Sequence, residues 1–181
     1  MTPALARPRA AALVVVAGGA LLLARPLVWR AGYDPTVPIA CLFVAMLAVA
    51  WAWPAAQART TAWAGPLLLG AVAFVLARLV VAGRAPAQVS PRFYVLMTLA
   101  AVAEEAFFRR LLYNLLLRFG PTAAVVGSAL AFAAVHVTVY GVWVLPLDLA
   151  AGLVLGWQRH ASGTWAVPAV THVLANILVV I

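Results

Sequence analysis

Two adjacent carboxylates, Glu104 and Glu105, and two adjacent guanidinium groups, Arg109 and Arg110, interrupt a long apolar run. The chain has only four acidic residues, and half of them sit side by side in this stretch. A charge held near the centre of a bilayer costs about 2.5–3.5 kcal/mol on insertion scales, so such groups face a protein interior or a wet cavity. On a helix, neighbours point about 100° apart, which sends Glu104 and Glu105 in different directions. Arg109 lies four residues beyond Glu105, in the favourable order for an ion pair on one face. Glu105–Arg109 therefore reads as a structural pair and Glu104 as the free carboxylate available for chemistry. The competing reading is a helix-packing network without chemistry.

Further polar groups follow in the C-terminal half. Phe132 and His136 are spaced i, i+4, and so are His172 and Asn176, which puts each pair on one helix face. Measured from the turn at Gly120-Pro121, Glu104 and His136 each lie roughly 22 Å deep along an ideal helix. Measured from a turn near residues 159–163 on the same side, Asp148 lies roughly 18 Å in, His172 roughly 13 Å and Asn176 roughly 20 Å. These polar groups thus share a layer. A carboxylate, two imidazoles and an amide at one depth offer a base and polar donors, the minimum needed to add water to a peptide carbonyl.

The elements that must position these groups are membrane helices. The chain of 181 residues is 67% hydrophobic and 9% charged, whereas a soluble domain carries about 25% charged residues. The expected fold is all-α, a polytopic transmembrane bundle of about seven spans. Apolar runs cover residues 10–29, 39–55, 61–82, 91–119, 122–140, 142–158 and 164–181, with loops at 30–38, 83–91 and 159–163. The run at 91–119 exceeds the bilayer core and must tilt or protrude. The main boundary falls near residue 88. Residues 1–88 form an N-terminal part of about three spans without a paired polar constellation, and residues 89–181 form a catalytic core of about four spans.

The net charge of +8 comes from twelve arginines and no lysine, scattered singly at the ends of apolar runs. That pattern suits headgroup anchoring and topology control. No basic block or aromatic-basic stretch points to nucleic acid. The single cysteine, Cys41, cannot form an intrachain disulfide and reads as a small buried hydrophobe. His160 reads as solvent-facing in a loop.

The sequence Glu104-Glu105-x3-Arg109, then Phe132-x3-His136, then His172-x3-Asn176 resembles the three motifs of the CPBP family. These are the CAAX-protease and bacteriocin-processing intramembrane proteases, which include the type II CAAX prenyl endopeptidases. The stretch from Gly152-x3-Gly156 through Ser162-Gly163-Thr164-Trp165-Ala166-x-Pro168-x3-His172 is similar to the family's last motif region. The resemblance covers residues 91–181. It implies that Glu104 and His136 activate the attacking water, that His172 and Asn176 stabilise the oxyanion, and that Glu105 and Arg109 hold the site together. Arg110 stands where family members commonly carry a small residue, which bears on substrate-side contacts. Asp148 lies outside the three motifs and reads as a substrate-binding or tuning group, or as a plain helix contact.

The resulting expectation is an intramembrane endopeptidase that cleaves a membrane-tethered peptide, placed as a multi-pass protein in the inner (plasma) membrane of a bacterium. Its partners are membrane lipid and that peptide. Orientation and oligomeric state stay open. No cofactor is required. A zinc site of Glu104, His136 and His172 is the metal-dependent alternative, but Asn176 beside His172 suits an oxyanion hole better, and no His-Glu-x-x-His helix occurs. Two other functions fit the same polar pocket: a non-catalytic immunity or scaffold protein that binds a peptide, and a proton-coupled carrier, against which the shortness of the chain and its lack of repeats count.

Overall fold

The computed structural model describes residues 8–54, 62–80 and 90–178. Among these the chain is all-helical. Helix α1 spans Pro8–Trp29, α2 Thr36–Ala52, α3 Ala64–Val80 and α4 Pro91–Glu105. A π-helical segment, Ala106–Leu112, continues α4 directly into the short α5, Tyr113–Leu116, and a 3-10 turn, Leu117–Phe119. Helix α6 follows over Pro121–Tyr140, α7 over Leu145–Ser162 and α8 over Ala166–Leu178. The proposed boundary near residue 88 lies outside the described residues, as do the ends of the chain.

Two helices are long and apolar enough to cross a membrane, Ala10–Trp29 and Pro121–Tyr140. Three others, Thr36–Ala52, Ala64–Val80 and Ala166–Leu178, are apolar but shorter. Large apolar side chains such as Leu13, Leu27, Leu68 and Leu79 stand exposed on the outside of the bundle.

Several boundaries differ from the sequence reading for local reasons. Helix α1 keeps the end read from the sequence, running through Pro26 to Trp29, so Arg25 is a helical residue. Helix α2 starts at Thr36, whose amide donates to Asp34 Oδ1 at 2.9 Å. Helix α7 does not stop at Gln158 but runs on to Ser162. Arg159 is buried there because its guanidinium donates to the Arg109 carbonyl at 3.1 Å and to Asn114 Oδ1 at 3.2 Å. Gly163, at φ +70°, supplies the left-handed residue that ends the helix. His160 is exposed, but on the last turn of α7 rather than in a loop. Cys41 is exposed on α2, so the expectation of a buried thiol is corrected: the core face of this helix is occupied by Ile39, Leu42, Phe43 and Met46 instead.

The core joins α1, α2, α4, the π segment and α6 through Leu22, Phe43, Met46, Leu96, Phe107, Phe108 and Phe132. Helix α4 packs between α2 and α8, and α6 lies along α7. The α6–α7 approach depends on two glycines one turn apart. A Cβ on Gly152 would come within 3.0 Å of the Ala129 backbone, and one on Gly156 within 3.3 Å of the Val125 carbonyl. Small residues at i, i+4 let two helix backbones meet in this way.

Candidate functional site

The site forms where α4, α6 and α8 converge, with α1 closing one flank. Glu104 and Glu105 are the last two residues of α4 and both are buried. They diverge as helix geometry requires. Glu105 Oε1 accepts from Arg109 Nη1 at 2.9 Å, and the Arg109 Nη2 donates across to the Gly152 carbonyl at 3.1 Å. Neither charged side chain of this pair touches solvent. The Arg109 guanidinium also lies 4.8 Å from the Phe132 ring centroid, a cation–π contact made in a dry setting. His172, from α8, presents Nδ1 to the same Glu105 oxygen at 2.9 Å. Glu105 thus joins three helices, α4, α7 through Arg109, and α8.

Glu104 faces the other way. Its Oε2 lies 3.6 Å from His136 Nε2. The His136 Nδ1 is 2.8 Å from the Phe132 carbonyl one turn earlier. A carbonyl oxygen only accepts, so Nδ1 carries a proton, and in the neutral ring Nε2 is the lone-pair nitrogen turned toward Glu104. At 3.6 Å the two acceptors make no direct hydrogen bond, and a water oxygen seated beside them reaches both. Phe132 packs against both imidazoles, with ring centroids 4.3 Å from His136 and 5.7 Å from His172. It also passes its carbonyl to His136, so one residue orients both rings.

Glu104 is not a free carboxylate. Its Oε1 forms a short, buried ion pair with Arg25 Nη1 from α1. The reading of residues 1–88 as devoid of paired polar groups is therefore corrected. The sequence signal was present: an arginine one turn before the end of an apolar run. It was read with the other scattered arginines as a headgroup anchor. Tyr140 was also passed over; its ring stacks on His136 with centroids 6.0 Å apart.

Two chambers meet at this cluster. One, of about 620 Å³, opens toward α3 and α7 and is lined by Arg78, Phe132, Asp148 and Ala151 among others. The other, of about 480 Å³, opens toward α1 and α2 and is lined by Arg25, Trp29, Phe43, Met97 and Glu104 among others. His136, Tyr140, His172 and Asn176 belong to both. Asn176 donates one amide proton to the Met97 carbonyl at 3.2 Å, which leaves its second N–H free to donate elsewhere. Asp148 lines the larger chamber from the first turn of α7, and its buried Oδ2 has no hydrogen-bond partner among the described residues. Arg110 lies apart from this cluster. It donates to the Ala50 and Trp53 carbonyls at the end of α2 and stacks over Trp51 at 4.6 Å. Among the described residues no three His, Cys, Asp or Glu side chains form a group able to hold a metal ion.

A family model described as type II CAAX prenyl endopeptidase Rce1-like matches residues 86–178. No curated protein and no solved structure matches the chain.

Proposed function

The chain belongs to the Rce1-like family of type II CAAX prenyl endopeptidases, intramembrane proteases of the CAAX type, and on that premise we propose that it hydrolyses a peptide bond in a membrane-tethered peptide with Glu104 and His136 activating the water. The observation that carries this reading is the meeting of Glu104 Oε2 with His136 Nε2 at 3.6 Å, beside His172 and Asn176, on the wall of a chamber large enough for a peptide. We place the protein as a multi-pass, roughly seven-span component of the inner membrane of a bacterium, with residues 1–88 as a flanking part and residues 89–181 as the catalytic core.

In this mechanism a water sits between Glu104 and His136. Glu104 takes a proton as the water oxygen attacks the carbonyl carbon, and the carbonyl becomes an oxyanion. Asn176 Nδ2 and His172 Nε2 donate to that oxyanion. For Nε2 to donate, the His172 ring must carry both protons, and Glu105 at its Nδ1 balances the charge. The proton held by Glu104 then passes to the leaving nitrogen. The C–N bond breaks, giving a carboxylic acid and an amine, and the acid then passes its proton to the amine, leaving a carboxylate and an ammonium group. Arg109 holds Glu105 in place and touches no reacting atom. The low-dielectric walls exclude bulk water and strengthen each of these interactions.

The deciding experiment is cleavage of a prenylated CAAX peptide by the purified chain and by Glu104→Gln, with insertion and folding checked by thermal denaturation. Loss of cleavage in a folded variant is the expected result. Undiminished cleavage by Glu104→Gln rules the mechanism out, and a function that survives that change without any cleavage identifies a peptide-binding protein instead.

A further inference from the structure

Arg25 lies on α1, outside the segment that defines the family, yet its guanidinium is part of the active-site wall. The side chain is only 8% exposed. Nη1 is committed to Glu104, and the group stands 5.9 Å from the Phe43 ring centroid. Nε and Nη2 are buried and have no hydrogen-bond partner among the described residues. These two nitrogens form one edge of the guanidinium, the edge whose parallel N–H bonds match the two oxygens of a carboxylate. A buried cation with two unmet donors is costly unless a ligand meets them. The smaller chamber, which this side chain lines, also holds Glu104, His136 and Asn176, and the exposed Arg30 stands at the same chamber.

We propose that the free Nε/Nη2 edge of Arg25 is a carboxylate-binding subsite that receives the C-terminal carboxylate of the peptide being cleaved. The inference rests on the protease reading above. It gives α1 a role in selecting substrates that end near the scissile bond. Because the same guanidinium holds Glu104 through Nη1, a bound carboxylate shares the cation with the catalytic base and draws it from that pairing. Substrate engagement and release of Glu104 for water activation are then one event.

The test is binding of a prenylated CAAX peptide whose scissile amide is replaced by a ketomethylene group, so that no cleavage occurs. It is made with a free C-terminal carboxylate or with a C-terminal amide, and titrated against the full chain in phosphatidylcholine nanodiscs. The wild-type protein is expected to prefer the carboxylate by about 10–100-fold, the equivalent of a charged bidentate hydrogen bond. Arg25→Gln is expected to bring the two affinities within about twofold, and Arg25→Lys, a point charge without the fork, to leave an intermediate preference. Equal affinities in the wild-type protein, or a preference that persists in Arg25→Gln or is undiminished in Arg25→Lys, overturns the subsite. Loss of the preference as phosphatidylglycerol is added to the nanodiscs also overturns it, by showing that the occupant is a headgroup phosphate. Cleavage of the normal peptide is measured separately. A preference that is present without cleavage defeats the protease reading and leaves the subsite standing.

Discussion

Glu105 and His172, 67 residues apart in the chain, meet at 2.9 Å in the interior of the bundle. The contact fixes the orientation of an imidazole that the mechanism requires. It also joins α4 to α8, on the same oxygen that holds Arg109. Removing the carboxylate by Glu105→Ala leaves Arg109 buried without its ion-pair partner. The expected cost is about 3–5 kcal/mol of stability, read as a large fall in thermal midpoint in detergent. A midpoint within a degree or two of the wild-type value would show that Arg109 has found another partner.

Glu104 and His136 are expected to behave differently from Glu105. In the proposed mechanism Glu104→Gln removes the proton acceptor and His136→Ala removes one of the two groups that hold the water, and each should lower cleavage by about 10²–10⁴-fold. His136→Ala should leave the fold intact, because among the described residues this ring hydrogen-bonds only to the Phe132 carbonyl within its own helix. Single-turnover cleavage in parallel with circular dichroism separates the two effects.

Arg110 provides the opposite case. It ties the end of α2 to the π segment through the Ala50 and Trp53 carbonyls and lines neither chamber. Arg110→Gln is therefore expected to lower the thermal midpoint while kcat/KM per folded molecule stays within about twofold, a size ordinary for a substitution that touches no reacting group. A change in substrate preference would restore the substrate-side role that its position in the motif suggests.

The α6–α7 seam offers a packing test. Gly152→Val forces a branched side chain against the Ala129 backbone and pushes on the carbonyl that holds Arg109. The expected cost is about 1–3 kcal/mol, with cleavage falling as Arg109 loses its anchor. Gly152→Ala, the smaller intrusion, should fall between. Equal stability of all three proteins would mean that the seam is looser than the distances indicate.

The mechanism proposed here assigns no step to a metal. Purified protein dialysed against a strong chelator is expected to keep full activity, measured as the initial rate before and after. Activity lost on chelation and regained with zinc would replace Glu104 and His136 as water activators by a metal-bound hydroxide.

Much of this site was legible in the chain because helix periodicity is rigid. The i, i+4 spacing of Glu105 and Arg109 became an ion pair, and the divergence of Glu104 from Glu105 became two separate environments. Depth counting along ideal helices put Glu104 and His136 at one level, but it left His172 shallower and did not pair it with Glu105. Contacts that cross between distant segments were less legible. Arg25 is separated from Glu104 by 79 residues, and its place inside the end of an apolar run marks it as a buried charge without naming so distant a partner. The end of α7 was misplaced because Arg159 looks like a surface charge until its acceptors, the Arg109 carbonyl and the Asn114 side chain, are seen.

The π segment at Ala106–Leu112 has a wider consequence. A turn of π-helix takes in one residue more than a turn of α-helix, so every side chain beyond it is rotated by about 100° from where regular winding would leave it. Winding 106–112 at ordinary pitch with all its residues kept would carry Tyr113 and Asn114 off the faces where they now meet Arg159, whereas deleting one residue there would let the rod relax to ordinary pitch and keep them in place. The rod beyond the segment owes its facing to the wide turn that takes up one surplus residue, a built-in register key between the Glu104–Glu105 end and the Arg159 contacts.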